Sequence, residues 1–319
     1  MLAIMTARHH HYLSQCYLKG FTKGKAKKSK LTVVDISQRK IFETIPRNVG
    51  GIRDFNRIEI DGLDPNILES ALSDFEGVVA TSLKRLSETG DFFGQTKNSI
   101  LHLVALLAVR SPERREHMRT IRAQIAEVAM GVMLDSKDMW ETHAEKIKAG
   151  GDNHDAVSAS YEEAKRFYES KEYEIIVSRE SHIRSEMIQV DAIVALLLKR
   201  NWQVLKASDN AGPFITSDSP VILSWCEPDS IPLMYRHSPG FGLRGTEVYF
   251  PISQDVALLG RFDGLDNVLN ASRELVAILN SKMLCNLKKQ IYFPRVGFEF
   301  YDDKKKIIVG NHILKYVRP

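Results

Sequence analysis

Leu68, Leu72, Phe75, Val79, Leu83 and Leu86 recur at close to the 3.6-residue period of an α-helix and form one apolar stripe. Asp64-Pro65 stand just ahead of it, with Asp64 placed to cap the helix and Pro65 suited to its first turn. Residues 98–110 are apolar nearly all round, which predicts a second, central helix that ends or kinks at Pro112. Residues 113–172 read as long polar helices broken at Gly150-Gly151, and residues 181–200 as another helix with Val190, Ile193, Val194, Leu197 and Leu198 on its apolar side.

The period changes elsewhere. Residues 31–35 and 40–43 predict two strands joined by a turn at Ser37-Gln38-Arg39, followed by an irregular stretch over 46–61. Beyond residue 200, short strands are expected at 202–205, 214–216, 221–223, 247–250 and 256–259, then a helix over 270–289 and a terminal hairpin from 298–300 and 307–309. Grouped helices and grouped strands imply an α+β fold: a helical core with an N-terminal β-hairpin and a C-terminal antiparallel β-rich subdomain. The expected organisation is one elaborated domain over 1–319, built from segments 1–62, 63–200 and 201–319.

Apolar residues make up 44% and charged residues 26% of the 319, an ordinary balance for a globular core of this size. No apolar run matches a bilayer span, so no membrane partner is expected. Cys16, Cys226 and Cys285 fit no zinc or redox spacing, which points to a reducing cytoplasm. The net charge of +4 is mild but uneven: Lys19, Lys23, Lys25, Lys27, Lys28 and Lys30 crowd a stretch containing Gly20 and Gly24. Such a loop either binds phosphates of a nucleic acid or nucleotide, through Lys25, Lys27 and Lys28, or is a solvated hairpin loop.

The candidate chemistry begins at His9-His10-His11-Tyr12, which runs into Gln15, Tyr17, Leu18 and Phe21. A histidine run beside a start codon can be an affinity-tag scar, but this one continues into apolar and aromatic residues that belong to a folded domain. Glu69 and Glu76 lie two helical turns apart on one face, where they can hold a metal, pair with a histidine or form an ordinary polar flank. Arg110 closes an apolar helix that also contains His102, so its guanidinium requires an anionic partner, either a carboxylate such as Glu69 or Glu76 or a bound phosphate. Thr216-Ser217-Asp218 arrive at a tight turn before Pro220, where an Asp acts as general base or metal ligand or else satisfies local backbone N–H groups. P-loop, dinucleotide-fingerprint, zinc-protease and serine-elbow motifs do not occur.

The stretch His11-Tyr12-Leu13-Ser14-Gln15-Cys16-Tyr17-Leu18-Lys19-Gly20-Phe21 resembles the near-N-terminal His-Tyr-Val-Pro-Gln-Phe-Tyr-Leu-x-x-Phe pattern of the bacterial family catalogued as domain of unknown function 4238. Ser14 replaces the proline and Cys16 an aromatic residue. Val34-Asp35, Asp54-Phe55, Glu69, Glu76, Arg110 with Ser111-Pro112, Thr216-Ser217-Asp218 with Pro220, residues 250–253 and Asn280 continue the match in order. The resemblance implies no settled activity, but it marks the positions that the chemistry marks.

The leading expectation is a phosphodiester hydrolase acting on a nucleic acid or nucleotide, a nuclease-like effector of a bacterial defence or toxin system. His11, Glu69 and Asp218 would carry catalysis, with Arg110, Lys25, Lys27 and Lys28 on phosphate and His10, Tyr17, Asp54, Glu76 and Ser217 in support. The carboxylates are compatible with a divalent metal, whose identity the sequence leaves open. The alternative is a non-enzymatic interaction protein whose polar cluster pins the N-terminal segment to the helical core.

Overall fold

The computed structural model describes residues 8–24, 26, 28–149, 159–236, 239–294 and 297–317. The chain forms two compact units, Met1–Pro112 with Ile183–Pro319, and Glu113–His182. The first unit opens with β1 (His9–His11), α1 (Gln15–Leu18), β2 (Leu31–Asp35), β3 (Lys40–Thr44), β4 (Gly51–Arg53), α2 (Ile67–Thr89) and α3 (Gly94–Val109). Next come α4 (Pro112–Met133), α5 (Lys137–Ala149), α6 (Tyr161–Ser170) and α7 (Arg179–Leu197). The first unit resumes at Ile183 within α7 and continues with β5 (Asn201–Ala207), β6 (Thr216–Ser217), β7 (Ile222–Trp225), α8 (Leu233–Arg236), β8 (Thr246–Pro251), β9 (Val256–Arg261) and β10 (Asn267–Ala271). It ends with α9 (Arg273–Asn286), β11 (Gln290–Phe293), β12 (Glu299–Tyr301) and β13 (Ile307–Val309).

The fold is α+β. A five-stranded sheet runs β10-β5-β9-β8-β7, with only the β10–β5 pair parallel, and a four-stranded antiparallel sheet runs β3-β2-β11-β6. The expected hairpins at β2–β3 and β12–β13 both form. Helix α3 is buried over most of Ser99–Val109, as its composition requires, with Gln95 and Asn98 exposed in its first turns, and packs with the α2 stripe residues Val79, Leu83 and Leu86. Leu13, Tyr17, Leu18 and Phe21 insert into that same core. Full burial of each such side chain contributes about 1.5–3 kcal/mol, so the N-terminal segment is held by the fold.

Several boundaries differ from the sequence expectation. Helix α2 starts at Ile67 with Asn66 as its cap residue. The Asp64 carboxylate instead accepts from the Asn66 N–H at 2.9 Å, so it closes a turn ahead of the helix. Residues 267–271 form β10 on the sheet edge, and α9 begins only after Ser272, whose hydroxyl caps the Leu275 N–H at 3.3 Å. Strand β11, which lies inside the four-stranded sheet between β2 and β6, occupies the stretch between the expected helix and the terminal hairpin, to which the sequence pattern assigns no element.

The second unit is helical. Ser160 and Glu163 form a reciprocal capping box on α6, and Lys171 meets Glu127 at 2.8 Å. No helix among the described residues is long and apolar enough to cross a membrane.

Candidate functional site

The three histidines form strand β1, antiparallel to β4, with His9 opposite Arg53, His10 opposite Ile52 and His11 opposite Gly51. Side chains alternate across a strand, so His10 points inward and is fully buried while His9 and His11 share the other face. Their rings meet edge to face with centroids 5.2 Å apart. Two glycines permit this pairing. Gly50 has φ +67°, a left-handed conformation, and its carbonyl accepts from both Tyr12 and Leu13 N–H. A Cβ on Gly51 would collide with the His9 ring.

Asn56 is the hub of the site. Its backbone N–H donates to His10 Nδ1 at 2.9 Å, its side-chain N–H to Glu69 Oε2 at 2.5 Å, and its Oδ1 accepts from Arg110 Nη2 at 2.6 Å. Arg110 is the C-cap residue of α3 and only 4% exposed. The same Nη2 donates to the His11 carbonyl at 3.1 Å, and the guanidinium lies over the Phe55 ring at 5.6 Å. The buried cation therefore reaches Glu69 through a neutral amide.

Around this hub, His11 Nε2–H donates to the Arg47 carbonyl at 3.1 Å, because a carbonyl can only accept. Its Nδ1 is then the acceptor, facing the Gln15 amide at 3.5 Å. Burial lowers the His11 pKa below the ordinary histidine value, only partly opposed by the Arg47 carbonyl, so the ring is neutral at pH 7. Burial raises the Glu76 carboxyl, against a hydrogen bond from Ser14 and the nearby Arg110 charge, while Glu69 adds to the rise. Burial also pushes the Cys16 thiol up to about 11, which leaves it protonated and without the thiolate a nucleophile needs. Ser14 places its hydroxyl 3.1 Å from Cys16 Sγ.

The remaining expected residues stand in other surroundings. Asp218 is buried, and its carboxylate accepts the backbone N–H groups of Lys288, Lys289 and Gln290 at 3.0, 2.6 and 3.0 Å. It holds the turn from α9 into β11. The Tyr292 hydroxyl donates to Gln290 Oε1 at 2.8 Å, and burial, with Tyr12 and Asp218 nearby, keeps it protonated. Ser217 is fully buried and directs its hydroxyl to Met283 Sδ at 3.2 Å. Tyr17 hydrogen-bonds Thr216 at 2.7 Å and stacks on Phe250 with ring centroids 5.0 Å apart. Asp54, with φ +56°, pairs with Arg8 at 2.9 and 2.6 Å, a contact that lowers its pKa. His102 Nδ1 bonds the Asn98 carbonyl one turn earlier in its own helix, at 2.8 Å.

Lys25 and Lys27 lie outside the described residues. Lys28 is exposed beside Lys23 and Lys30 at a shallow depression of about 360 Å³ that also includes Glu43. Among the described residues, no group of three or more His, Cys, Asp or Glu is arranged to hold a metal ion.

His11, Glu69, Glu76 and Arg110 thus share one neighbourhood with His10, while Asp218 and Ser217 serve a different turn. Sequence reasoning missed Asn56. The available signal was a polar amide following Asp54-Phe55, together with an arginine whose charge had to be met.

No curated protein and no solved structure matches the chain. A family model does match, over residues 9–295, and so takes in both the histidine strand and the Asp218 turn. The chain belongs to the family described as Protein of unknown function (DUF4238).

Proposed function

We propose that the protein is a phosphodiester hydrolase acting on a nucleic acid or nucleotide, a nuclease-like effector of a defence or toxin system working in a reducing cytoplasm. The observation that supports this reading is the meeting of a neutral imidazole and two carboxyls around one buried guanidinium, on segments distant in sequence. Buried polar groups that converge with shifted pKa values are more typical of reactive sites than of packing.

In this reading Nδ1 of His11, once the Gln15 amide swings aside, takes a proton from the attacking water. Glu76, which keeps its proton to higher pH than an ordinary glutamate, delivers one to the leaving oxygen. Arg110 is a positioning residue, because the guanidinium grips the His11 backbone and Asn56. Lys23, Lys28 and Lys30 supply the cationic surface that a polyanion requires. Asp218 takes no part, since its oxygens already accept three backbone hydrogen bonds.

A second reading is favoured by the way Asn56 satisfies Arg110 and Glu69 together: the cluster is architectural and pins β1 and β4 to the helices. One experiment separates the two. Purified protein is incubated with RNA, single- and double-stranded DNA and nucleotides, with and without magnesium or manganese, beside His11→Gln and Glu76→Gln. Cleavage that both variants lose while folding normally is the expected result. Absence of cleavage on every substrate, together with destabilisation by both substitutions, establishes the architectural reading.

A further inference from the structure

Away from the His11 cluster, a cleft of about 850 Å³ lies where the outer strand of the five-stranded sheet, β7, faces helix α9. The size suits a small organic ligand. Its walls are chiefly apolar: Trp225 and Leu223 from β7, Ile278 from α9, and Tyr301 from β12. The Trp225 indole is fixed in place by its N–H donating to the Tyr235 carbonyl at 3.1 Å. Much of the polar lining is already engaged. The Asn286 side-chain N–H groups serve the Ser219 and Val221 carbonyls, and the Ser281 hydroxyl donates to Ala277 and accepts from Tyr301 N–H.

The charges are one-sided. Arg236, Lys282 and Lys305 line the cleft, and among the described residues no carboxylate lines it. Lys282 and Arg261 both pair with the single buried Glu247, so that group of three keeps one positive charge in surplus. Arg236 meets Asp229, which is almost fully exposed. Lys305 is exposed at the rim, and its ammonium forms no ion pair among the described residues. An apolar slot with engaged hydrogen-bond groups and a cationic rim suits a ligand with an apolar or aromatic body and one acidic head.

We infer that this cleft is a binding site for a small amphiphilic organic anion, an aromatic or other apolar body carrying a carboxylate, sulfonate or phosphate. The site is separate from the proposed hydrolase chemistry and stands whether or not that chemistry does. The cleft carries its own reporters, since Cys226 and Cys285 both line it and both are exposed thiols.

The test uses the aromatic sulfonate 8-anilinonaphthalene-1-sulfonate as probe with the full chain. Saturable binding is expected, with Cys226 and Cys285 protected from iodoacetamide and Cys16 labelling unchanged, read by peptide mass spectrometry. Ile278→Asp places a charge at a position already 43% exposed, so the fold is retained, and should weaken probe binding by roughly tenfold or more. Lys305→Gln removes only the rim charge and should weaken it about two- to fivefold. Competition by an alkyl carboxylate against an alkyl phosphate of equal length then ranks the head groups. Non-saturable binding, unprotected thiols, or wild-type affinity in a folded Ile278→Asp protein overturns the inference.

Discussion

Removing the Asn56 side chain tests whether one amide joins the two charges of the cluster. Asn56→Ala takes away the 2.6 Å acceptor of Arg110 and the 2.5 Å donor of Glu69. A hydrogen bond to a charged group is worth about 1.5–3 kcal/mol, and stripping a partner from a buried charge costs about 3–5 kcal/mol. Arg110 keeps the His11 carbonyl and the Phe55 face, which moderates its loss. Glu69 is half-buried and can recruit water, so its share is the smaller. The sum is about 3–4 kcal/mol, a large part of the roughly 5–15 kcal/mol that holds a typical domain.

Asn56→Asp sharpens the test because it preserves shape and changes charge. It offers Arg110 a carboxylate but sets a second carboxylate against Glu69, and two such groups at hydrogen-bond distance must share a proton. That proton is held more tightly in the folded than in the unfolded chain. The unfolded state therefore releases it first, and stability falls as pH rises above the ordinary carboxyl range. Urea unfolding followed by far-UV circular dichroism at about pH 5 and about pH 8 reads both effects. Asn56→Asp should match or exceed Asn56→Ala in stability at the lower pH and lose that advantage at the higher. A loss below about 1 kcal/mol for Asn56→Ala, with the slope of the transition unchanged, would refute the relay.

Two further substitutions separate chemistry from architecture. His11→Gln should keep a melting temperature near that of the wild type, because Arg110 grips the His11 backbone carbonyl and not its ring. The same variant should lose nucleic-acid cleavage by a factor of about a hundred or more; full activity would remove His11 from the mechanism. Asp218→Asn leaves one side-chain oxygen for three backbone donors and turns an amide N–H donor toward them. A loss of about 2–4 kcal/mol is expected, with normal cleavage by whatever protein remains folded. Loss of activity at unchanged stability would return Asp218 to the catalytic set.

What the sequence revealed follows how far apart the relevant signals lie. The α2 stripe and the β2–β3 hairpin were legible because side-chain period encodes each within one short window. Strand β1 was not, since its partner lies some forty residues on and three histidines carry no apolar alternation. Yet the alternation exists, with His10 inward and His9 and His11 outward. Asp218 illustrates a deeper ambiguity. A Ser-Asp pair at a strand end is the same signal whether the carboxylate is a base or a cap. Its three donors come from a turn about seventy residues later. For Arg110 the demand for an anion was readable, but not that a neutral asparagine would carry the charge to Glu69.

The pH dependence of cleavage bears most directly on the proposed roles. The mechanism needs His11 without its proton and Glu76 with one. An ordinary histidine near 6.5 and an ordinary glutamate near 4.5 titrate in the wrong order for this. Midway between them each group is in its required state only about a tenth of the time, so about 1% of molecules are competent. The structure moves both groups in the useful direction: burial lowers His11 and raises Glu76. Each approach of the two values enlarges the competent fraction. The product of the two titrations peaks midway between them, so kcat/KM should describe a bell with its maximum on the mildly acidic side of neutrality. Glu76→Gln, which cannot donate a proton, should lower the whole profile and remove the decline on its alkaline side. A rate that climbs steadily into the alkaline range in the wild-type protein would assign the proton transfers to other groups, and with them the catalytic reading of His11 and Glu76.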